Sequence, residues 1–461
     1  MAETTTQLRR ELGLVQATAL AITDMIGIGP FITIPLILAT MGGPQAMLGW
    51  LVGALVAFCD GLVWAELGAA MPKAGGSYNY LREAFGPTTF GRWFSFLMVW
   101  QIMFSAPLSV ASGSIGFTNY FHYLVPQLSD TSVRVLTSVI PLALVLLLYR
   151  RIRAIGNLSI VLLAGVLLGC FWIIVSGLPH LSAARVLDFP SGAFHLNWLF
   201  CAGLGHSTLY ALYGYWGYYN VCYLAEEIRD PGRVIPRAIL FSIAVVATLY
   251  LLMNVAILSV VPWREAVQSQ FIGSTYMERL FGPSAGRLMA LLMLWIALSS
   301  VFSLLLGYSR IPYAAAKDGN FFTVFSRLHP KGEFPHISLV TLGVVAAIFS
   351  LGHLPDVIGS LVATRVLVQY LPQAVGFFVL RWRNPDLPRP FRMWLYPLPG
   401  FVVALGWLAI LGTSQPRSLL FALSVFLVGS VAFFTRSKIR GEWPFQKKGL
   451  ALHSNGHGAD M

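Results

Sequence analysis

The chain has 461 residues, of which 56% are hydrophobic and only 11% are charged, and its mean hydropathy is +0.70. Soluble domains carry about 25% charged residues, so a soluble fold of this size could not bury so much apolar surface. In a bilayer the apolar faces can point into lipid. A net charge of +12 would suggest a nucleic acid partner in a soluble protein. Here the basic residues fall in short loops between apolar stretches, so we expect a lipid bilayer and no nucleic acid.

Apolar stretches recur along the chain at lengths that suit a membrane span. About 20 apolar residues cross the hydrocarbon core as a helix. Roughly twelve stretches are candidates, near residues 14–40, 45–70, 92–118, 132–149, 156–178, 197–224, 237–262, 287–314, 337–352, 357–380, 395–413 and 418–435. The sequence therefore predicts an all-α integral membrane protein with about twelve transmembrane helices.

Basic residues are divided unequally between the two sets of loops. If the N-terminus lies in the cytoplasm, most of the 31 lysines and arginines fall on the cytoplasmic side, as the positive-inside rule requires. We therefore expect a multi-pass protein of the cell membrane, of the prokaryotic inner-membrane type, with both termini in the cytoplasm. The predicted division is a cytoplasmic N-terminus at 1–13, a transport core at 14–382, two further helices at 383–436 and a cytoplasmic tail at 437–461.

The first and sixth stretches contain residues that break helices. The first places Asp24 beside Gly27, Gly29 and Pro30, and Pro lacks the N–H that a helix needs. The sixth places two glycines among aromatic residues: Tyr213, Gly214, Tyr215, Trp216, Gly217, Tyr218 and Tyr219. Broken helices five positions apart are typical of inverted repeats, in which helices 1–5 and 6–10 enclose a binding site between the two breaks.

The broken backbone has groups that suit a zwitterion. A half-helix that starts after Gly29 presents free N–H groups and the positive end of its dipole, which favours a carboxylate. Unwound carbonyls in residues 25–27 and 213–215 can accept hydrogen bonds from an ammonium group. An amino acid would satisfy both sets of groups. The alternative is that both breaks are kinks whose aromatic residues serve only packing.

Five motifs follow one another along the chain. They are Gly27-Ile28-Gly29-Pro30-Phe31; Glu66-Leu67 with Pro72, Gly75-Gly76, Tyr78 and Tyr80; Glu226-Glu227-Ile228 with Pro231, Arg233 and Pro236; Ser309-Arg310 with Lys317-Asp318-Gly319; and Pro385-Asp386-Leu387 with Arg389-Pro390-Phe391. Each is weak alone, but five in this order are specific. Over almost its whole length the sequence resembles the amino acid–polyamine–organocation (APC) superfamily of permeases, in its amino acid permease branch.

This resemblance implies a LeuT-like fold of five plus five inverted helices, with helices 1 and 6 broken, and transport by alternating access. It implies that backbone amides at Ile28 and Gly29 hold the substrate carboxylate. Carbonyls near Ile26 and around Tyr213 and Tyr215 would hold the amine, with Tyr213 as a gate. Together with the aromatic content of the second break, this gives the predicted substrate-binding set: Asp24, Ile26, Gly27, Ile28, Gly29, Tyr213, Gly214, Tyr215, Trp216 and Tyr219.

Asp24 departs from the family pattern, in which Asn is frequent, and a charged carboxyl is expensive to bury in a membrane. Three roles stay open for Asp24: binding a cationic amine, carrying a coupling proton, or bonding to the broken backbone. Arg365 is the basic residue well inside the tenth stretch. Pairing with Asp24 or Asp60 would lower the cost of burying both charges. The alternative is that Arg365 lies in a cavity or snorkels.

Hydroxyl groups in the eighth stretch suggest an ion site. Ser299, Ser300 and Ser303 could supply oxygens, with Asp24, to a sodium ion beside the first break, although small hydroxyl residues also pack helices in membranes. Proton-coupled relatives carry a Lys in helix 5, and this chain has none between Asn157 and Gly177. We expect no cofactor and no firm metal site, and coupling to H⁺ or Na⁺ stays open.

Three acidic residues lie near predicted cytoplasmic helix ends. Glu66, Glu226 and Glu227 are expected to form salt bridges with loop residues such as Lys73 and Arg233. We take Glu66 and Glu226, with Tyr213, as candidate gating residues.

The sequence thus predicts a secondary active transporter of amino acids, either a symporter or an exchanger. A transporter of polyamines or other organic amines is the alternative, because of Asp24. A membrane enzyme is disfavoured, since the sequence has no metal-ligand cluster, nucleophile elbow or phosphate loop. A channel or sensor would show polar rings or an output domain. No obligate protein partner is evident.

Overall fold

The computed structural model describes residues 10–149, 152–330 and 332–445. Within these ranges the chain forms α-helices joined by short turns, and its one isolated β-bridge joins Leu12 to Ile228. The prediction of an all-α protein is confirmed. The residues beyond 445, most of the predicted cytoplasmic tail, lie outside the described ranges.

The helices follow one another closely along the chain. The first ten are α1 (Leu14–Met25), α2 (Gly29–Met41), α3 (Leu48–Ala70), α4 (Ser77–Ala84), α5 (Phe90–Leu124), α6 (Asp130–Leu148), α7 (Ile152–Gly177), α8 (Ala183–Val186), α9 (Trp198–Tyr215) and α10 (Asn220–Tyr223). The others are α11 (Pro231–Val260), α12 (Trp263–Ala266), α13 (Ile272–Phe281), α14 (Pro283–Tyr308), α15 (Arg310–Lys317), α16 (His336–Phe349), α17 (Leu354–Arg365), α18 (Leu371–Arg383), α19 (Leu398–Thr413) and α20 (Pro416–Arg440). A π-helical turn over Val366–Tyr370 joins α17 to α18.

Local sequence explains where several helices begin. The Asn197 side chain accepts a hydrogen bond from the Phe200 amide at 2.8 Å and caps α9. Ser129 caps α6 in the same way. Proline occupies the first position of α11, α14 and α20, where its missing N–H costs nothing. These signals sit at the ends of apolar runs, so the runs become separate helices.

Eight helical segments in the described residues are long and apolar enough to cross a membrane, and α1 with α2 makes a ninth if the bent pair is one span. The apolar helices α16 and α19 are shorter. Each of the twelve predicted stretches contains a helix or a bent helix pair. Large apolar side chains such as Leu146 and Leu405 lie exposed on the outside of the bundle, as lipid contact requires. The chain is therefore a multi-pass membrane protein, while twelve crossings, the inverted repeat and the division into four segments stay predictions.

The broken helices lie inside a ring of long ones. The pair α1–α2 packs against α7, α9, α11 and α14, while α3 lies between α9 and α11. Helix α5 runs along α14 and α17 on the other side. Helices α19 and α20 pack on α3, α5 and α17 from outside. This arrangement shields both breaks from lipid, which could not satisfy their free backbone groups.

Ion pairs hold one end of the bundle, which we call the basal end and define by Leu12, Glu66, Glu227 and Arg310. Glu227 is 1% exposed and takes two hydrogen bonds from Arg310, at 2.8 and 3.3 Å. Its carbonyl accepts the amides of Glu11 and Leu12, both at 3.0 Å. The N-terminal segment is thereby fastened to the turn that follows α10.

Glu66 pairs with a loop arginine, as expected, but the partners named for these acidic residues were wrong. Glu66 pairs with Arg381 at 2.5 Å and with Arg389 at 3.3 Å, and not with Lys73. Arg233 instead lies 3.9 Å from Asp230 at the surface. Among the described residues Glu226 makes no salt bridge, and its neighbour Glu227 makes the buried one. Because α18 and the loop after it fold back onto α3, residues more than 300 positions away reach Glu66 first.

Candidate substrate site

The first break separates α1 from α2 by three residues and turns the helix axis by 41°. The Ile26 amide still donates to the Ile22 carbonyl at 2.7 Å, so α1 ends cleanly. The amides of Gly27 and Ile28 have no hydrogen-bond acceptor in the described part of the chain. Pro30 lies in the first turn of α2 and needs none. The break thus presents free donors at the positive end of the α2 dipole.

The second break contacts the first through Gly217. This residue lies between α9 and α10 and has φ +131°, a conformation that side chains other than hydrogen rarely allow. A Cβ at Gly217 would lie 2.7 Å from the Met25 nitrogen and 2.8 Å from the Asp24 carbonyl carbon. The two broken backbones therefore touch, and glycine is what permits the contact.

Tyr250, on α11, joins the two breaks from behind. Its hydroxyl lies 2.7 Å from the Met25 carbonyl and 3.0 Å from the Gly214 carbonyl, and it can donate its hydrogen to either. Both carbonyls end a half-helix and belong to the stretches that we expected to receive an ammonium group. Since a carbonyl has two lone pairs, each keeps acceptor capacity. Sequence reasoning missed Tyr250. The residue is more than 220 positions from Met25 along the chain, and no local sequence pattern marks such a contact.

A narrow cavity of about 40 Å³ lies beside the two breaks. Most of the predicted substrate-binding residues line it: Asp24, Gly27, Ile28, Gly29, Tyr213, Gly214, Trp216 and Tyr219. Its other walls come from α5, α14 and α17, including Ser109, Ser112, Ser300, Tyr308 and Arg365. In this conformation the cavity has room for only a few water molecules, so its walls must move apart to admit a substrate.

Two predicted binding residues do not line the cavity. Ile26 is completely buried behind the first break. The Tyr215 ring packs edge-on against Trp50, and its hydroxyl donates to the Trp50 carbonyl at 3.2 Å. Both were assigned by their place in a break. Their side chains point into the helix packing, and a role for their backbone carbonyls in binding the amine stays a prediction.

Tyr213 covers the outer part of the cavity. Its hydroxyl lies 2.7 Å from the Ser112 hydroxyl, so it bridges from α9 to α5. A Cβ at Gly29 would lie 3.0 Å from Cε1 of Tyr213, so the ring rests on the start of α2. A ring that can swing away from this contact would open or close the cavity, as the gating hypothesis requires.

The three serines expected to bind sodium have separate roles. Ser299 donates back to the Trp295 carbonyl at 2.7 Å and does not line the cavity. Ser303 and Thr23 join their hydroxyls at 2.7 Å. Ser300 alone of the three lines the cavity, and it donates to the Asp24 carbonyl at 3.3 Å. The described residues contain no group of three His, Cys, Asp or Glu side chains that could hold a metal ion.

Asp24 lies in the cavity wall and is 5% exposed. In the described part of the chain neither carboxyl oxygen accepts a hydrogen bond of ordinary geometry, although Asn220 lies beside it. The third role considered for Asp24 was a hydrogen bond to the broken backbone. The described residues show no such bond. A buried polar group without a partner costs about 1–3 kcal/mol, and more when charged. The Asp24 carboxyl is thus available to a ligand.

Arg365 forms the opposite wall and is 1% exposed. Its guanidinium donates to Tyr219 and Ser109, each at 2.9 Å, and to Ser105 at 3.3 Å. It also lies 4.8 Å from the centre of the Tyr308 ring. All of these partners are neutral. Arg365 closes α17 where the π-helical turn begins, a local distortion that is frequent at functional sites.

The expected ion pair between Arg365 and a buried acid does not form. Within the described residues no salt bridge of 4.0 Å or less joins Arg365 to Asp24 or to Asp60. Asp60 instead accepts a hydrogen bond from the Tyr218 hydroxyl at 2.6 Å. The cavity therefore contains one acid and one base that are near enough for their charges to interact but lie more than 4.0 Å apart. A buried charge without a counter-ion costs about 3–5 kcal/mol, and a ligand with charges of both signs would relieve that cost.

The arrangement defines a class of protein: a multi-pass membrane protein with a central ligand cavity between two broken helices, which is the architecture of secondary transporters. A model of the amino acid permease family matches residues 12–440. The chain belongs to this family and is a membrane permease, not an enzyme.

Named relatives are similar to the chain over most of their length. The Asc-type amino acid transporter 1 of Mus musculus is 29% identical, with 93% of this chain and 81% of the relative covered. The large neutral amino acids transporter small subunit 2 of Homo sapiens is 28% identical, with 93% and 80% covered. The cystine/glutamate transporter of Homo sapiens is 27% identical, with 93% and 85% covered. Amino acid transport is common to these names.

Replacing Tyr250 by Phe is expected to lower uptake by about 3- to 10-fold, because it removes a hydrogen bond worth about 0.5–1.5 kcal/mol between the two breaks. Uptake into liposomes and the melting temperature in detergent would be measured. Tyr276→Phe is the matched control, since its buried hydroxyl donates to the Ile173 carbonyl at 2.9 Å away from the cavity. Equal uptake losses in both variants would mean that Tyr250 only stabilises the fold.

Proposed function

We propose that the protein is a secondary active transporter of amino acids that works by alternating access across the cell membrane. One observation carries this proposal. The cavity between the two breaks contains free backbone donors, a carboxyl without a partner and a guanidinium without a counter-ion. These groups complement a small molecule with charges of both signs.

Each end of an amino acid has a place in this cavity. The α-carboxylate binds the free amides of Gly27 and Ile28 at the start of α2, where the helix dipole favours an anion. The α-ammonium binds the Asp24 carboxyl, with the Met25 and Gly214 carbonyls as further acceptors. Tyr213 closes over the bound substrate.

The basal end faces the cytoplasm, and its ion pairs close the inner path to the cavity. The positive-inside distribution of lysine and arginine supports this orientation for both termini. Glu66 acts as a gating acid, and Glu227 takes the role that we expected for Glu226, because each is buried and paired with arginine from another helix or loop. Coupling to H⁺ or Na⁺ stays open, with Asp24 as the side chain through which either ion would act in a symporter.

Transport of polyamines or other organic cations is the second candidate, favoured by the free carboxyl of Asp24. Arg365 argues against it, because a second or third cationic group of a polyamine would lie in the same cavity as the guanidinium. Like charges in a cavity of low dielectric constant repel strongly. An amino acid avoids that repulsion.

The test is uptake by purified protein in liposomes, with labelled amino acids and polyamines and with a proton gradient, a sodium gradient or neither. Saturable uptake of amino acids supports the proposal, and dependence on one gradient identifies the ion. Because an exchanger needs substrate on both sides, liposomes preloaded with the same panel are included. Uptake confined to polyamines would establish the second candidate, and no uptake by folded protein in any arrangement would refute both.

Asp24→Asn is expected to raise KM for every transported amino acid by about 10- to 100-fold, the loss of one charge-assisted hydrogen bond worth about 1.5–3 kcal/mol. The substitution keeps the side-chain size, so the packing is unchanged. Asp60→Asn is the matched control, since Asp60 is equally buried but bonds to Tyr218. A loss confined to basic substrates would mean that Asp24 binds the substrate side chain, and an unchanged KM would remove Asp24 from the site.

A further inference from the structure

Arg365 is the one guanidinium in the cavity wall, and binding of the α-amino and α-carboxyl groups of a substrate leaves it unused. Four hydrogen bonds connect it to neutral oxygens of Ser105, Ser109 and Tyr219. One N–H of Nη1 has no acceptor in the described part of the chain. Tyr308 and Trp216 lie 4.8 and 5.6 Å from the guanidinium carbon and fix its plane. The guanidinium is therefore held in place, is charged, and makes no salt bridge with any described residue.

Helix α5 carries one residue that contacts this guanidinium and another that contacts the first break. Gly116 lies at the first break, since a Cβ added there would collide with the Ile28 side chain. Ser109, seven residues earlier, accepts the hydrogen bond from Arg365. At about 1.5 Å per residue these two positions are about 10 Å apart along the helix.

That distance limits the length of a ligand with two carboxylates. A carboxylate must come within about 2.9 Å of the donors at each end, so only a ligand whose two carboxylates are close together can reach both groups. The carboxylates of aspartate or glutamate are that close together. A long or bulky side chain would collide with the Tyr308 and Trp216 rings.

We infer that Arg365 binds the side-chain carboxylate of the substrate, and that the protein transports short acidic amino acids such as glutamate and aspartate. This inference rests on the proposed function. With such a substrate every charge in the cavity has a partner: α-ammonium with Asp24, α-carboxylate with the start of α2, and side-chain carboxylate with Arg365. A neutral side chain leaves Arg365 unpaired, and a basic one repels it.

The test compares substrates that differ in charge but hardly in size. Purified protein in liposomes is given labelled glutamate, glutamine, aspartate, asparagine, leucine and lysine. The expected KM for glutamate is at least about 10-fold below that for glutamine, since the charged form gains a charge-assisted bond. Uptake of glutamine or leucine with a KM as low as that of glutamate would overturn the inference and keep the proposed function. No uptake of any amino acid would overturn the proposed function itself.

Arg365→Gln tests the residue. The KM for glutamate is expected to rise about 10- to 100-fold while that for glutamine stays within about 3-fold. Arg365→Lys keeps the charge but not the two-pronged geometry, so its KM for glutamate should be intermediate. Arg264→Gln is the control, since Arg264 is exposed and paired with Asp188 at the surface. If Arg365→Gln weakened all substrates equally, Arg365 would bind the α-carboxylate and the inference would be wrong; if Arg365→Gln does not fold, the wild-type panel and Arg365→Lys decide.

Discussion

Replacing Gly217 by Ala is expected to lower amino acid uptake by about 100-fold or more. The new Cβ would lie 2.7 Å from the Met25 nitrogen and 2.9 Å from the Asp24 Cβ, so the two breaks must separate. Backbone strain at φ +131° adds about 1–3 kcal/mol, and overpacking adds about 1–3 kcal/mol. Each 1.4 kcal/mol corresponds to a tenfold change. Initial uptake rates in liposomes, normalised to folded protein, would measure the effect.

Gly282→Ala separates strain from collision. Gly282 also has a positive φ, +82°, but an added Cβ there would meet nothing within 4 Å. The Gly282→Ala variant should have a lower melting temperature and an unchanged KM for amino acids. Gly412→Ala, which has neither strain nor a neighbour, should change nothing. Wild-type uptake by Gly217→Ala would mean that the two breaks need not touch.

The breaks themselves could be predicted because their causes are local. Gly27, Gly29 and Pro30 weaken a helix wherever they occur, and Gly217 adds a second weak point five apolar stretches later. Apolar stretch length likewise located the helices, since the thickness of a bilayer sets that length. These features need no knowledge of which residues meet in space.

The partners of charged residues could not be predicted, because they come from distant helices. Glu227 rather than Glu226 turns inward, and a one-residue shift at the end of α10 decides which of them meets Arg310. Tyr250 and Arg365 lie in ordinary apolar stretches, and only the packing of α11 and α17 around the breaks brings them to the site. Asp24 was noticed for its charge, but its lack of a partner is a property of the folded cavity.

The packing also changes what the first break can offer a ligand. Two of the expected ammonium acceptors, the Met25 and Gly214 carbonyls, share the single hydrogen of the Tyr250 hydroxyl, which bonds to one of them at a time. The donors at Gly27 and Ile28 are still free. The Asp24 carboxyl, which has no hydrogen-bond partner among the described residues, is therefore a better acceptor for the ammonium than these carbonyls.

Breaking the pair between Glu227 and Arg310 is expected to destabilise the protein by about 3–5 kcal/mol, because the remaining charge would be buried alone at the basal end. Glu227→Leu and Arg310→Met should each lower the melting temperature in detergent strongly. The double variant should recover most of the loss, since two apolar side chains of similar size replace a buried pair at little cost. Arg279→Met is the control, because its pair with Glu265 is exposed and worth about 0–1 kcal/mol.

The double variant should nevertheless lose coupled transport, because the N-terminal segment and the turn after α10 are then held at the basal end mainly by backbone hydrogen bonds. Cys222 lies in α10, between the cavity residue Tyr219 and Glu227 along the chain, and is fully buried. In protein whose other three cysteines are replaced by serine, maleimide labelling of Cys222 should be faster in the double variant than in the parent. A double variant that stays as unstable as the single ones would contradict the charge-matching explanation, and one whose Cys222 stays unlabelled would show that the pair does not close the inner path. Recovered stability together with faster labelling would separate the two roles of the pair. The fold needs only that neither charge is buried alone, whereas closure of the inner path needs the attraction between the two charges.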